Sequence, residues 1–301
     1  MSPEEYIQHL KKEKDAVILA HYYVPDEVQA VADFIGDSYG LAKIAVSVPE
    51  KTICFAGVKF MSESAKILNP DKHVLVPDMQ ADCPMAHMIT PEVINNVRNK
   101  YEDLAVVCYI NSTAEIKKYA DVIVTSSNAL KIVSKLPEKN IFFIPDENLG
   151  RHIAKKLPEK NFIFNEGYCP VHKNITSADV KKAKDNHPRA KVLAHPECTA
   201  DVLALADYIG STSGIIDCAT TSDEKEFIIC TELGVLCELK KKNKDKNFYA
   251  VNDGQFCNDM KKVTLEKIIA CLENMSPEMQ IDTKSREMAS EPLERMLELA
   301  R

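Results

Sequence analysis

The feature that most limits the fold of this chain is an internal repeat of about 87 residues. Three segments, AVILAHYY, AVVCYINS and KVLAHPEC, each end an apolar run in a polar tip. Their tips bring His21, Tyr109 and His195 into register, at separations of 88 and 86 residues. Two further sets of residues repeat at the same separations: Asp33, Asp121 and Asp207, and Ser38, Ser126 and Thr212. Because three sets of residues repeat at the same two separations, the sequence predicts three copies of a single structural unit.

Each copy alternates short Val- and Ile-rich runs with helical stretches such as YGLAKIAV and SNALKIVSKL. This alternation is typical of parallel sheets covered by helices. The sequence therefore predicts an α/β fold of three similar αβα domains with parallel sheets, related by pseudo-threefold symmetry. The predicted units are 1–82, 83–168 and 169–257, and two helices within 258–301 are expected to return and complete the first unit.

Ten cysteines are many for a chain that is expected to work in a reducing compartment. Three of them, Cys83, Cys169 and Cys257, follow turns and repeat at 86 and 88 residues. Cys198 stays unassigned. The other six are interpreted as small core hydrophobes beside or within apolar runs: Cys54, Cys108, Cys218, Cys230, Cys237 and Cys271.

Equivalent positions in three symmetry-related units meet at the axis if they face it. The three repeated cysteines therefore predict one site with three thiolates. Structural zinc normally takes a fourth protein ligand, whereas a [4Fe–4S] cluster with three thiolates leaves one iron open as a Lewis acid. Three buried thiols that happen to lie in register are the alternative that spacing leaves open.

The strand tips and the repeated hydroxyl residues predict a binding site for anions. Ligands of parallel sheets gather beyond the carboxyl ends of the strands, where these tips lie. The stretches Asp37–Ser38, Thr125–Ser127 and Ser211–Ser213 stand where a strand gives way to a helix, and helix N-termini favour anions. Any one of them is more simply interpreted as an N-cap. Three in register beside polar tips favour a central pocket for carboxylates or phosphate.

The charge and hydropathy of the chain exclude other classes of protein. Its net charge of −7 argues against a general nucleic-acid or membrane-surface binder, which needs clustered cations. The lysines of 240–246 are interrupted by Asn243 and Asp245, which is typical of a solvated helix end. No run approaches the roughly 18 apolar residues of a membrane span, and the charged start MSPEEYIQHLKKEK does not resemble a signal peptide. We therefore expect a cytoplasmic protein.

Taken together, the motifs of this chain resemble the quinolinate synthase family of NAD biosynthesis, in the family's order and over nearly the whole length. The motifs are HYY, VADFIGDS, FAGVKFMSESAKILNPDK, CYINSTAEIK, TSSNA, PDENLG, GYCPVH, HPEC, IGSTSG, CTELG and CNDMKK. The resemblance implies an enzyme that condenses iminoaspartate with dihydroxyacetone phosphate to quinolinate, with release of phosphate and water. It also implies an oxygen-sensitive [4Fe–4S] cluster at the centre of the three domains.

Residue by residue, the resemblance implies cluster ligands at Cys83, Cys169 and Cys257. It implies substrate contacts at His21, Ser38, Tyr109, Asn111, Ser126, His195, Glu197, Ser211 and Thr212, and a catalytic role for Tyr23. The family's His-Asn-Tyr is here His21-Tyr22-Tyr23, which changes what the middle residue contacts. Some members carry Cys-x-x-Cys-x-x-Cys at the third ligand; Val251 and Gly254 stand at the two earlier positions here, which excludes a regulatory disulfide.

The implied reaction needs both anion binding and proton transfer. His195 and Glu197 point to one side of a strand and suit proton shuttling, while Tyr23 is expected to act as acid or base and His21 to orient it. Binding is expected to be divided among three pairs: carboxylates at Ser38 and Ser126, iminoaspartate at Tyr109 and Asn111, and phosphate at Ser211 and Thr212.

Two other functions remain open at this stage. One is an iron–sulfur dehydratase acting on one small polycarboxylate, which would turn over without a triose phosphate. The other is a non-catalytic anion-binding protein with a structural metal or none, which would be colourless. An aspartate oxidase or dehydrogenase is the implied supplier of iminoaspartate. His87 and His172 are interpreted as local structure near the cysteines, and Lys59 and Glu63 as holding loops.

Overall fold

The computed structural model describes residues 2–301, which form three four-stranded parallel sheets. Each sheet has the same strand order, with the unit's first strand between its second and third and the fourth strand at the edge. The predicted α/β fold of three similar units is therefore confirmed. The strands are β1 (Ala16–His21), β2 (Phe34–Gly36), β3 (Thr52–Ala56), β4 (His73–Leu75), β5 (Leu104–Tyr109), β6 (Val122–Val124), β7 (Asn140–Ile144), β8 (Asn161–Phe164), β9 (Lys191–Ala194), β10 (Tyr208–Ile209), β11 (Glu226–Cys230) and β12 (Asn247–Ala250).

Helices connect the strands and cover the sheets. None of those in residues 2–301 is both long and apolar enough to span a bilayer. Single 3₁₀ turns occur at Pro84–His87 and Met260–Lys262. The α-helices are α1 (Pro3–Glu13), α2 (Asp26–Val31), α3 (Ser38–Ser47), α4 (Lys59–Leu68), α5 (Pro91–Arg98), α6 (Ala114–Lys117), α7 (Ala129–Val133), α8 (Glu147–Ala154), α9 (Pro170–Lys173), α10 (Ser177–Asn186), α11 (Ala200–Leu203), α12 (Thr212–Thr221), α13 (Val235–Lys242), α14 (Leu265–Asn274) and α15 (Thr283–Leu299).

The central strands are apolar along their whole length because both faces of each sheet are covered. Every residue of β1 is buried, and β3 beside it is buried throughout. Helices α1 and α3 both pack on β1. A strand buried on both sides loses the alternation of apolar and polar residues that a half-exposed strand shows. The polar residue His21 at the end of β1 is therefore an exception that calls for a functional explanation.

The repeated aspartates make the same contacts in all three units. Asp33, Asp121 and Asp207 each accept a backbone N–H from the unit's first strand at 2.6–2.8 Å. Each also donates its own N–H to the carbonyl of that same strand residue, at 2.8–3.0 Å. These reciprocal bonds fix where the second strand starts. A cation lies beside each aspartate: Lys11 at 2.5 Å, Arg98 at 2.9 Å and Lys191 at 3.6 Å.

A lysine forms a second repeated contact that the sequence reading missed. Lys72, Lys160 and Lys246 are separated by 88 and 86 residues and precede the fourth strand of each unit. Their ammonium groups donate to carbonyls just past the end of an earlier helix, which have no intrahelical partner. The acceptors are again equivalent residues: Val48 at 2.5 Å, Leu136 at 2.7 Å and Ser222 at 2.6 Å.

The C-terminal helices return to the body of the protein. Helix α14 packs on α1 and β3 of the first unit, whereas α15 packs on α4 of the first unit and on β6 and α6 of the second. Between them, the segment 277–279 bonds to the edge strand β4, with the Val76 N–H donating to the Pro277 carbonyl at 2.9 Å. The C-terminal region therefore contacts two units, and the boundaries drawn from the sequence remain predictions.

Candidate active site

The three units meet around one cavity beyond the carboxyl ends of β1, β5 and β9. It encloses about 670 Å³ of space, part of which is open solvent. All three units contribute side chains to its wall. Twelve of the predicted site residues line it: His21, Tyr23, Ser38, Cys83, Tyr109, Asn111, Ser126, Cys169, His195, Glu197, Thr212 and Cys257.

Ser211 is the predicted site residue that lies outside this lining. Its Oγ accepts the N–H of Gly214 at 3.1 Å and caps α12. Asp37 caps α3 in the same way in the first unit. The next residue, Ser38 or Thr212, lines the cavity in both units; Asp37 lines it too, whereas Ser211 does not.

Ser126 reaches the cavity from a helical turn, as its counterparts do. The Ala129 N–H donates to the Thr125 carbonyl at 2.9 Å, the bond that the Leu41 and Ile215 N–H groups make to Asp37 and Ser211 in the other two units. The regular helix α7 begins only at Ala129, and the Thr125 N–H donates to Asn128 Oδ1 at 2.7 Å. Ser126 Oγ is 3.2 Å from His195 Nε2 of the third unit. The expected change from strand to helix is therefore present here, and Ser126 lies in the pocket.

The three repeated thiols share one local setting. Each follows a loop and is followed by a short helical turn, which places backbone N–H groups beside its sulfur: those of Met85 and Ala86 for Cys83, His172 for Cys169, and Asp259 and Met260 for Cys257. Such N–H groups stabilise a thiolate. Burial nevertheless raises the pKa of all three thiols, that of Cys257 to about 11. Without a cation or metal bound, these cysteines are thiols at neutral pH.

The remaining cysteines serve the scaffold. Cys54, Cys108, Cys230 and Cys271 are buried, as predicted, and so is the unassigned Cys198. Cys218 and Cys237 are only partly buried, because they lie on the outer helices α12 and α13. The interpretation of these two as core residues is therefore wrong.

The spacing of the pocket thiols distinguishes between kinds of metal centre. A single zinc ion binds thiolates at about 2.3 Å, which brings their sulfur atoms to within about 4.6 Å of one another. The sulfur atoms of Cys83, Cys169 and Cys257 do not all lie within 4.8 Å of one another. A four-iron cluster binds each thiolate through a different iron and tolerates wider spacing. The three thiols are therefore compatible with a cluster, whereas the donor atoms that lie close enough together for a single ion are those of Cys169, His172 and Glu197.

Each of the three cysteines lies beside a carboxyl group. The N–H of Cys83 donates to Asp82 at 2.8 Å and that of Cys257 donates to Glu232 at 3.1 Å. Asp146 lies beside the backbone of Cys169, and its buried Oδ2 has no hydrogen-bond partner among the described residues. Asp146 and Glu232 are 86 residues apart and follow the third strand of their units. Lys261 pairs with Glu232 at 2.9 Å. Sequence reasoning missed both carboxylates, although their spacing matches the repeat.

The two strand-tip histidines are held in one tautomer by the backbone. The N–H of Tyr23 donates to His21 Nδ1 at 3.2 Å, and that of Glu197 donates to His195 Nδ1 at 3.4 Å. Nδ1 therefore carries no proton, and in the neutral ring the proton is on Nε2. Burial lowers the pKa of His21 to about 4 and that of His195 to about 3. Both rings are neutral at pH 7 and present an N–H donor.

Glu197 is the buried carboxyl group at the centre of the site. Its Oε2 lies 2.7 Å from His172 Nδ1 and 3.7 Å from His195 Nδ1, and the Tyr109 hydroxyl also bonds to it. Burial alone would raise the pKa of Glu197, but its contacts with His172 lower it more, so the group is a carboxylate. Donor atoms of Cys169, His172 and Glu197 lie within 4.8 Å of one another. His172 is thus part of the site, not merely local structure.

Hydrogen bonds connect His172, the close neighbour of Glu197, with Tyr23. His172 Nε2 is 2.9 Å from Thr231 Oγ1, which is 2.8 Å from the Tyr23 hydroxyl. The hydroxyl is in turn 2.7 Å from Thr212 Oγ1. Burial raises the pKa of Tyr23 well above its usual value, so its phenol stays protonated. Thr231 was missed from the sequence, although it lies in the quoted motif CTELG.

Tyr22, the middle residue of the His21-Tyr22-Tyr23 motif, packs away from the cavity. It is buried in an apolar cluster with Leu193, Ile215 and Phe227 of the third unit. The neighbouring loop leaves little space, since a Cβ at Gly234 would lie 2.7 Å from the Tyr22 carbonyl oxygen. Tyr22 therefore joins two units and does not contact a ligand in the pocket.

These observations define a class of protein. The fold is a three-unit α/β protein, and its central pocket combines three equivalent thiols, neutral histidines, hydroxyl groups and a buried carboxylate. Such a combination of titratable groups in altered protonation states within one cavity is typical of an enzyme active site.

Comparison of the sequence with known proteins agrees that the chain is an enzyme and identifies its family. Residues 5–298 match the family described as Quinolinate synthetase A protein. The chain is 55% identical to a quinolinate synthase of Fusobacterium nucleatum, over 99% of both chains. It is 51% identical to one of Caldicellulosiruptor bescii over 97% of both chains, and 45% identical to quinolinate synthase 2 of Methanosarcina acetivorans over 98% of this chain and 95% of that one. The chain therefore belongs to the quinolinate synthetase A family and is an enzyme of NAD biosynthesis.

Proposed function

We propose that this enzyme condenses iminoaspartate with dihydroxyacetone phosphate to form quinolinate, phosphate and water, and that Cys83, Cys169 and Cys257 hold a [4Fe–4S] cluster. The observation that carries the proposal is the convergence of three equivalent thiols, one following each predicted turn, on a single pocket lined by anion-binding groups. When bound, a cluster with three protein ligands supplies one iron as a Lewis acid for a substrate oxygen.

The pocket wall supplies neutral donors for anionic substrates. Ser38 and Ser126 are proposed to bind carboxylates, and Thr212 the phosphate, while Ser211 acts on the phosphate only through the helix start that it caps. Tyr109 and Asn111 hold the iminoaspartate portion. Asn111 Oδ1 is buried with no hydrogen-bond partner among the described residues, and such an atom needs a partner from the ligand.

Proton transfer follows from the opposite protonation states of Tyr23 and Glu197. The phenol of Tyr23 holds its proton and donates it to an oxygen that leaves as water. The Glu197 carboxylate accepts a proton from the carbon beside the imine during tautomerisation. His195 Nε2–H and His21 Nε2–H donate hydrogen bonds to carbonyl or carboxylate oxygens. Thr231 and His172 connect the acid with the base.

The test is an anaerobic assay with both substrates, in which quinolinate and phosphate are measured together. Equal amounts of the two products are expected, with none when dihydroxyacetone phosphate is omitted and none from Cys83→Ala. Turnover of a dicarboxylate without the triose phosphate would instead identify a dehydratase. Activity that survives Cys83→Ala would refute the role given to that thiol.

The proposed reaction also needs a source of iminoaspartate, which is an unstable imine. We expect an aspartate oxidase or dehydrogenase to supply it in the same compartment, the cytoplasm. The pocket has no feature that selects a nucleic acid, and the acidic balance of the chain argues against one. Formation of quinolinate from aspartate by the two enzymes together, but by neither alone, is the expected result.

A further inference from the structure

Two buried side chains make the same contact at equivalent places behind the pocket. Lys117 Nζ donates to the carbonyl of Ile110 at 3.0 Å and to that of Ser112. In the first unit, Gln29 Nε2 donates to the carbonyls of Tyr22 at 2.8 Å and Val24 at 3.0 Å. Lys117 lies 88 residues after Gln29, and each acceptor of Lys117 lies 88 residues after the matching acceptor of Gln29. Neither donor lines the cavity.

The residue between the two acceptor carbonyls is in each case a pocket residue. Asn111 lies between Ile110 and Ser112, and Tyr23 lies between Tyr22 and Val24. The carbonyl of Ile110 lies in the peptide plane just before Asn111, whereas that of Ser112 lies one plane beyond the plane that follows Asn111. A donor that binds both carbonyls therefore holds the chain on either side of the middle residue. This restricts φ and ψ of that residue and so the direction of its side chain.

The contacts are needed because each strand tip extends beyond its sheet. Carbonyls at such a place have no ladder partner, and buried carbonyls are almost always satisfied by another donor. Gln29 and Lys117 are 2% and 0% exposed, so water does not fill this role. Gln29 also donates to the Gly234 carbonyl of the third unit at 3.1 Å, which ties the first tip to its neighbour.

Lys117 is an expensive residue to bury unless it has a specific task, because an ammonium group loses its hydration in the interior. Burial lowers its pKa to about 8, and Glu63 opposes this shift. Glu63 in turn accepts the Ala114 N–H at 2.7 Å, in agreement with its predicted loop-holding role. A neutral amine or an ammonium group can make both bonds to the carbonyls, so the contact survives deprotonation.

The third unit lacks this donor. The residue equivalent to Lys117 is Leu203, which is apolar. There the tip contains Pro196, whose ring fixes φ. The Glu197 side chain is held directly by His172. Leu203 therefore offers a matched position where a substitution should not affect the pocket.

We propose that Lys117 and Gln29 are positioning residues, which aim Asn111 and Tyr23 into the pocket by binding the carbonyls on either side of each. The proposal rests on the function proposed above for those two pocket residues. Asn111 depends more on its backbone, because its Oδ1 has no partner among the described residues, whereas the Tyr23 hydroxyl is also held by Thr212 and Thr231.

The test compares Lys117→Met with Lys117→Gln, using calorimetric Kd for quinolinate and kcat for its formation by the anaerobically loaded enzyme. Loss of the donor in Lys117→Met is expected to raise Kd about tenfold, in proportion to one or two hydrogen bonds. Lys117→Gln restores an amide with two donors, as at position 29, and should stay within about threefold of wild type. Lys160→Met is the control, since it removes a lysine of the same kind outside the pocket.

A double-mutant cycle separates positioning from general structure. In an Asn111→Ala background, Lys117→Met should weaken quinolinate binding no further. An unchanged Kd in Lys117→Met, or an equal further rise in the Asn111→Ala background, would overturn the proposal. Wild-type enzyme that forms no quinolinate would instead count against the proposed function, because that result does not depend on Lys117.

If Lys117→Met does not fold, Gln29→Met tests the same idea with an uncharged residue. It is expected to lower kcat about tenfold with Kd for quinolinate within about twofold, and to have no further effect in a Tyr23→Phe background. Leu203→Met, at the matching place in the third unit, should behave as wild type. A kcat for Gln29→Met equal to that of Leu203→Met would overturn the proposal.

Discussion

The three units resemble one another more closely at the amino ends of their strands than at the carboxyl ends. At the amino ends, all three units carry the same aspartate and the same lysine with the same backbone contacts, as in Asp121 and Lys160. At the carboxyl ends, equivalent positions hold different chemistry: the third residue of the tip is Tyr23, Asn111 or Glu197. The amino ends therefore serve folding, and the carboxyl ends serve the reaction.

The difference shows how a symmetric scaffold makes an asymmetric site. Each unit brings one tip and one thiol to the cavity with the same geometry. The protonation states then diverge, because burial keeps Tyr23 protonated while contacts with His172 keep Glu197 ionised. One backbone arrangement thus supplies an acid at one tip and a base at another. Substitutions at the two ends should separate activity from stability.

The largest effect is expected at the third tip. Glu197→Gln keeps the shape of the side chain but removes the base, and should lower kcat about 100-fold or more. The thermal midpoint should change little or fall, because the lowered pKa of Glu197 means that the folded protein favours the carboxylate. The measurement is steady-state quinolinate formation beside a melting curve. A variant that keeps more than half of the wild-type kcat would show that Glu197 is not the base.

A pH-dependent loss of stability is expected from the carboxyl-end histidines. The pKa of His21 is about 4 in the folded protein, against about 6.5 when unfolded. Protonation therefore favours the unfolded state, and stability that is present above pH 6.5 is lost as the pH falls toward 4. His21 alone should cost about 2 kcal/mol between pH 7 and pH 4.5.

Denaturant unfolding of cluster-free protein at the two pH values measures this loss. His21→Asn should reduce the difference by about that amount, whereas His9→Asn, on the exposed surface of α1, should not. An equal pH dependence in wild type and His21→Asn would contradict the buried, neutral state of this ring.

At the amino ends, substitution should affect stability alone. Asp121→Asn weakens the bonds to the Val106 N–H and to Arg98 and should lower the free energy of unfolding by about 1–2 kcal/mol. The kcat of the folded enzyme should remain at the wild-type value. A fall in kcat at full folding would break the division between the two ends.

The smallest effect is expected at the residue that joins the acid and the base. Thr231→Val keeps the shape but removes the hydroxyl between Tyr23 and His172, and should lower kcat about three- to tenfold. Thr231→Ser should recover most of it. If both variants matched wild type, the chain of hydrogen bonds from Tyr23 to His172 would have no part in catalysis.

The repeat made the fold and most of the site predictable, because matching offsets locate equivalent residues without a structure. It identified the pocket cysteines and tips such as His195, but it did not distinguish Ser211, a cap, from Thr212, which faces the cavity. Residues such as Lys117 and Gln29 gave no motif, since their partners are backbone carbonyls that every residue has. Their register at 88 residues was the available signal.

The central claim, that three units bring three thiols to one cluster, is tested most directly by counting iron and sulfide in anaerobically purified protein. About four of each per chain are expected for wild type, with a brown colour that is lost in air. Cys83→Ala, Cys169→Ala and Cys257→Ala should each lose most of this content, and Cys218→Ala, on the outer helix α12, should keep it. Wild-type protein that stays colourless after full reconstitution, or full iron content in any of the three pocket variants, would contradict the claim.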